Sequence, residues 1–167
     1  GADTNGALVY YPTEFSENHG AKTKEELLAD DEQGFTIRLI ENLPNIPRQG
    51  QGKTVGSAGN ERAQLSAGKT PREYLQTLQT DTEYRHEQGM TPEEQILYAL
   101  VHLEETNQVI DDYQGNGSLS YQLGAYFPAS EDVPGAYWNR GDGRARLAGC
   151  DPDYRDDGCG ARSVVGV

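Results

Sequence analysis

The chain has 167 residues, a formal net charge of −13 and only 30 residues of the large apolar types Leu, Ile, Val and Phe. This length suits a single domain, residues 1–167, and the acidic charge argues against nucleic acid as a partner because phosphate would be repelled. No run of about 18 apolar residues occurs, so no membrane span is expected. The few large apolar residues and the ten tyrosines predict a modest core with long segments that lie on it or on a partner.

Short elements are expected in the first quarter of the chain. Residues 7–11 have the composition of a strand. Thr23 and Glu26 have the spacing of a capping box, which predicts a helix that Gly34 would end. Apolar residues then alternate with polar ones over 35–39, which favours a second strand.

Two oppositely charged segments follow. Residues 44–69 contain little apolar material and are interpreted as a Gly-rich basic loop or tether. Residues 44–72 carry five basic residues and one acid, whereas residues 81–113 carry nine acids and one arginine. The basic segment could therefore fold over the acidic one, or either could meet a partner of opposite charge.

Two helices, over about residues 71–88 and 92–113, are predicted to form an antiparallel hairpin. Thr70 and Thr91 are suitable N-caps, and each is followed by a proline at the first helical position. In the second helix, residues at alternating steps of four and three form a continuous stripe, which predicts a face buried against Leu75 or Leu78. The stripe consists of Ile96, Leu100, Leu103, Asn107 and Ile110.

The last third is expected to contain one strand, from Leu119 to Phe127, and then a loop-rich C-terminal arm over residues 128–167. The predicted fold class is therefore α+β. It consists of a helical hairpin packed on a small, incomplete sheet, with long ordered loops and a C-terminal disulfide.

The disulfide is predicted between Cys150 and Cys159, which lie nine positions apart in a Gly- and Asp-rich segment without further cysteines. Disulfides persist in oxidising compartments, so a periplasmic or extracellular location is expected. The opening residues Gly1-Ala2 are compatible with a mature end after removal of a leader; the alternative is an expression remnant.

The same segment contains four aspartates, which offer the hard oxygen ligands that calcium prefers. A calcium site is one interpretation, and a solvated acidic turn held by the disulfide is the other. The candidate ligands are Asp151, Asp153, Asp156 and Asp157.

The sequence favours a non-catalytic role, because no histidine, cysteine or carboxylate set has the spacing of a known catalytic motif. We expect a secreted or periplasmic structural or accessory subunit of a larger protein assembly. The alternatives are a calcium-stabilised extracellular binding module and a small secreted enzyme whose site assembles from distant residues. Aromatic residues often anchor interfaces, and the candidates for contact with a protein partner are Tyr10, Tyr11, Tyr126, Tyr137 and Trp138.

Overall fold

The computed structural model describes residues 7–29 and 36–167. Within these ranges there are three α-helices and twelve short strands in four sheets. The helices are α1 (Lys24–Ala29), α2 (Pro71–Thr80) and α3 (Pro92–Thr106), with a 3-10 turn at Thr82–Tyr84. The strands are β1 (Val9–Tyr10), β2 (Lys22–Thr23), β3 (Arg38–Ile40), β4 (Thr54–Val55), β5 (Arg62–Ala63), β6 (Glu87–Gly89), β7 (Leu119–Tyr121), β8 (Ala125–Tyr126), β9 (Val133–Asn139), β10 (Arg144–Cys150), β11 (Cys159–Ala161) and β12 (Ser163–Gly166).

The starts of the three helices confirm the N-cap residues that the sequence predicts. At both Thr70 and Thr91, the side chain accepts a hydrogen bond from the third helical N–H, and the carboxylate of the glutamate at that position accepts one from the backbone N–H of the threonine. Thr23 and Glu26 pair in the same way before α1. The predicted helix end at Gly34 and the start of the following strand lie outside the described residues.

The predicted helical hairpin is wrong. Helix α2 ends at Thr80, and the chain passes through the 3-10 turn and strand β6 before Thr91 caps α3. The two helices therefore do not form an antiparallel pair. The small incomplete sheet is wrong as well, because the chain forms four sheets and strands outnumber helices throughout the described residues.

The largest sheet has the strand order β10-β9-β7-β11. Strands β9 and β10 form a seven-residue antiparallel ladder across the turn at residues 140–143. Strand β7 is antiparallel to β9, and β11 is parallel to β7. The second sheet, β3-β12-β6, has β12 at its centre, so the chain beyond residue 158 contributes to both sheets.

One face of the four-stranded sheet covers the core. Helix α2 packs against β6 and β11 through Tyr74, Leu75 and Leu78, which are all buried. Aromatic rings fill much of this space, since Tyr74 lies 6.3 Å from Tyr121 between ring centroids. This use of tyrosine offsets the shortage of large aliphatic residues.

The predicted disulfide is wrong, and both cysteines are free. Cys150 ends β10 and Cys159 begins β11, which are the two outer strands of the same sheet. Strands β9 and β7 lie between these two strands in the sheet order, so the two cysteines are not on neighbouring strands. Their short spacing in sequence therefore does not bring them together as a disulfide.

The basic segment 44–69 contains the β4–β5 hairpin and contributes Ile46, Leu65 and Ala67 to the interior. The arm at 128–167 contains β9, β10, β11 and β12. Part of the expected charge pairing also occurs, because Arg62 forms ion pairs with Glu87 and Glu41.

Candidate functional site

Helix α3 exposes most of its large apolar side chains. Its buried residues are Pro92, Gln95 and His102, which face the body of the protein. Most of the stripe predicted to be core is instead exposed, since Ile96, Leu100 and Leu103 are 42–56% exposed. Its last member, Ile110, lies beyond the end of α3 and is buried as predicted. The exposed apolar residues of α3 are Ile96, Leu97, Leu100, Val101 and Leu103.

A groove of about 380 Å³ separates α3 from the β9–β10 end of the large sheet. Leu100 and Leu103 line one wall. Trp138 on β9 and Leu147 on β10 line the other, and Leu147 is 60% exposed. The volume and the apolar lining are those of a binding site for an apolar group, and the groove is open to solvent along its length.

The floor of the groove is held by Asp111. Its carboxylate is fully buried, accepts hydrogen bonds from Arg162 and from Gln95 (2.7 Å), and its burial raises the pKa of the carboxyl above the usual range. Its N–H donates to Pro44 O (2.9 Å) and its carbonyl accepts from Trp138 N–H (2.8 Å). Asp111 also has a left-handed backbone, with φ of 51°. These bonds join four parts of the chain and fix the shape of the floor.

The outer edge of β10 borders the groove and has no strand beside it among the described residues. Its seven residues are exposed except for Cys150, which is half-buried. Proteins usually protect such edges, because the unpaired N–H and C=O groups can pair with another strand. An unprotected edge beside an apolar groove is thus a second feature suited to binding.

The four predicted calcium ligands, Asp151, Asp153, Asp156 and Asp157, lie in an exposed loop. Arg72 pairs with the Asp153 carboxylate (2.8 Å) and lowers its pKa. The Asp151 and Asp156 side chains accept hydrogen bonds from backbone N–H groups of the same loop. Within residues 7–29 and 36–167, no three His, Cys, Asp or Glu side chains are grouped to hold a metal ion. The calcium site stays a prediction.

The five aromatic residues predicted at an interface do not share one surface. Tyr126 is fully buried and packs on Phe15, and Tyr10 is buried and donates to Glu93 (2.8 Å). Tyr11 is exposed and is not one of the residues that line the groove. The remaining two, Tyr137 and Trp138, are half-buried and line the groove, and their role in binding stays a prediction.

The contribution of β10 was missed in the sequence. Its signal was present, because Ala145 and Leu147 alternate with Arg144 and Arg146. The prediction of a loop-rich arm over residues 128–167 does not include this strand.

No protein-family model, curated protein or solved structure matches the chain significantly. In the described parts of the chain, no helix has the length and apolar character to cross a membrane.

Proposed function

We propose that this chain is a non-catalytic accessory subunit of a larger protein assembly. The groove and the exposed face of α3 are where a protein partner binds. The observation that carries this proposal is the exposure of the apolar stripe around Leu100 on a regular, well-capped helix. Large contiguous apolar patches on soluble proteins mark interaction sites.

Burial of the exposed apolar side chains of α3 and β10 would stabilise a complex with a partner. Complete burial of a leucine or isoleucine side chain contributes about 1.5–3 kcal/mol. Helix α3 and β10 together leave six such side chains or valines 42–62% exposed, and a partner that covers them gains from each. The half-buried Trp138 belongs to the residue type most enriched among energetically dominant interface residues.

The polar groups around the groove support binding over catalysis. Asp111 and Gln95 bond to each other, and Arg162 neutralises the carboxylate. The groove therefore has a carboxylate that is paired with a cation, rather than a free acid or base, at its floor.

The periplasmic or extracellular location expected from the sequence stays a prediction, although the disulfide on which it was based is wrong.

The test uses a photo-crosslinking amino acid at Leu100 and, as a matched control, at Leu28, which is exposed at 76% on α1. Both variants are expressed in cells of the source organism and irradiated. We expect one discrete adduct with another protein at Leu100 and none at Leu28. The additional change Leu103→Glu should abolish the adduct. Equal labelling at both positions, or an adduct insensitive to Leu103→Glu, would refute the proposal.

A further inference from the structure

Strand β10 offers hydrogen-bonding groups on its free side, and their identity follows from its neighbour β9. In β9, Trp138 N–H donates to Asp111 O, and Pro134 O accepts from Gln122 N–H. The even-numbered residues of β9 therefore direct their backbone groups away from β10. Because these directions alternate along a strand, the odd-numbered residues of β9 bond to β10.

The register then identifies the free groups on β10. The residues opposite the odd-numbered positions of β9 are the even-numbered residues of β10, so these are the ones bonded to β9. The backbone N–H and C=O groups of Ala145, Leu147 and Gly149 consequently point to the open edge. Residues paired across the ladder share a face, and Leu147 pairs with Ala136, which lines the groove. Of the three open-edge residues, Ala145 and Leu147 thus also line the groove.

We propose that the partner presents an extended segment that adds to the open edge of β10 as a fifth strand. This inference rests on the proposed function and specifies its mode of binding. Side chains of the added strand that lie opposite Leu147 and its neighbours enter the groove and contact Leu100 and Leu103.

The other face of β10 determines the remaining positions of the added strand. Arg144 and Arg146 are both exposed, and β10 contains no acidic residue. Arg146 pairs with Asp142, whereas Arg144 has no ion pair among the described residues. Oppositely charged residues stabilise directly opposed positions on neighbouring strands. The partner segment therefore alternates apolar residues, which face the groove, with polar residues, of which the one opposite Arg144 is acidic.

A second copy of this chain fits less well. If two β10 strands paired antiparallel about Leu147, Arg146 of each copy would lie opposite Ala148 of the other, and Arg144 opposite Cys150. Neither copy would then supply the acidic residue that stabilises a position opposite an arginine. The two acidic chains also repel each other at longer range.

The test uses a synthetic peptide of about seven residues in which valine and glutamate alternate. Binding is followed by emission of Trp138, which is the only tryptophan and lines the groove. We expect a saturable emission shift below about 1 mM peptide. The same peptide with N-methyl groups on the amides that would face β10 should bind at least about tenfold more weakly, because it cannot extend the sheet. No shift up to about 1 mM, or equal binding of the methylated peptide, would overturn the proposal.

Two protein variants separate this mode from the proposed function. Arg144→Glu should transfer the preference to a valine–lysine peptide, because it reverses the charge that faces the acidic position of the added strand. Leu147→Pro removes one outward N–H and leaves the bonds to β9 in place, so it should weaken peptide binding while far-ultraviolet dichroism stays unchanged. If Leu147→Pro retains the Leu100 adduct in cells, the partner binds α3 without strand addition. If Leu103→Glu by itself abolishes both the emission shift with the peptide and the Leu100 adduct in cells, the peptide and the cellular partner share one site. Dimerisation of the purified chain that Leu147→Pro abolishes would assign the edge to a second copy and overturn the inference.

Discussion

Truncation of Leu100 and of Leu75 to alanine should have very different effects on the isolated protein. Leu75 is 6% exposed and belongs to the core cluster, so Leu75→Ala should lower the free energy of unfolding by about 2–5 kcal/mol. Leu100 is 56% exposed, so it retains less than half of the about 1.5–3 kcal/mol available from full burial. Its truncation leaves no closed cavity, because the groove is already open. Leu100→Ala should therefore cost less than about 1 kcal/mol.

The measurement is urea unfolding of both variants and the parent, followed by far-ultraviolet dichroism. Both substitutions remove the same atoms from an α-helix, so differences in helix propensity cancel. The order should reverse for partner binding, where Leu100→Ala should weaken the complex more than Leu75→Ala does. Equal destabilisation by the two substitutions would refute the assignment of Leu100 to an open surface.

Three further outcomes are expected. Burial raises the pKa of Cys150 to about 12 and that of Cys159 to about 11, so both thiols should react slowly with a disulfide reagent in the native protein at about pH 8. Unfolding without reductant should release two thiols, and fewer would contradict the structure. Arg162→Met leaves the Asp111 carboxylate buried without its cation and should lower the free energy of unfolding in urea by about 3–5 kcal/mol. A decrease of less than about 1 kcal/mol would contradict the buried Arg162–Asp111 ion pair. Millimolar calcium should leave the melting temperature unchanged, since the Asp153 carboxylate is already paired with an arginine; a rise that Asp153→Asn removes would favour the calcium site instead.

The features that the sequence predicted correctly depend on residues close together in the chain. Thr70 and Thr91 cap helices because the required glutamate is three residues away and the geometry is local. The stripe through Leu100 was also identified as apolar. The residues expected to cover the stripe were not predicted correctly, because periodicity shows which side of a helix is apolar and not what covers that side.

The errors concern contacts between distant segments. The spacing of Cys150 and Cys159 favoured a bond, but the sheet order that separates them depends on β7 and β9. Local patterns likewise do not predict the burial of Asp111, since Arg162, which pairs with its carboxylate, is 51 positions away in the chain. Pairings of this kind are set by tertiary structure, to which local patterns are insensitive.

The central position of β12 in its sheet has a consequence for synthesis of the protein. Strands β3 and β6 both pair with β12 and not with each other, so neither has a partner in that sheet until residues 163–166 have left the ribosome. Two open strand edges therefore persist while residues 90–162 are synthesised, and they are prone to pairing with other nascent chains. This sheet cannot be completed before residues 163–166 emerge. Deletion of these four uncharged residues should therefore lower the yield of soluble protein.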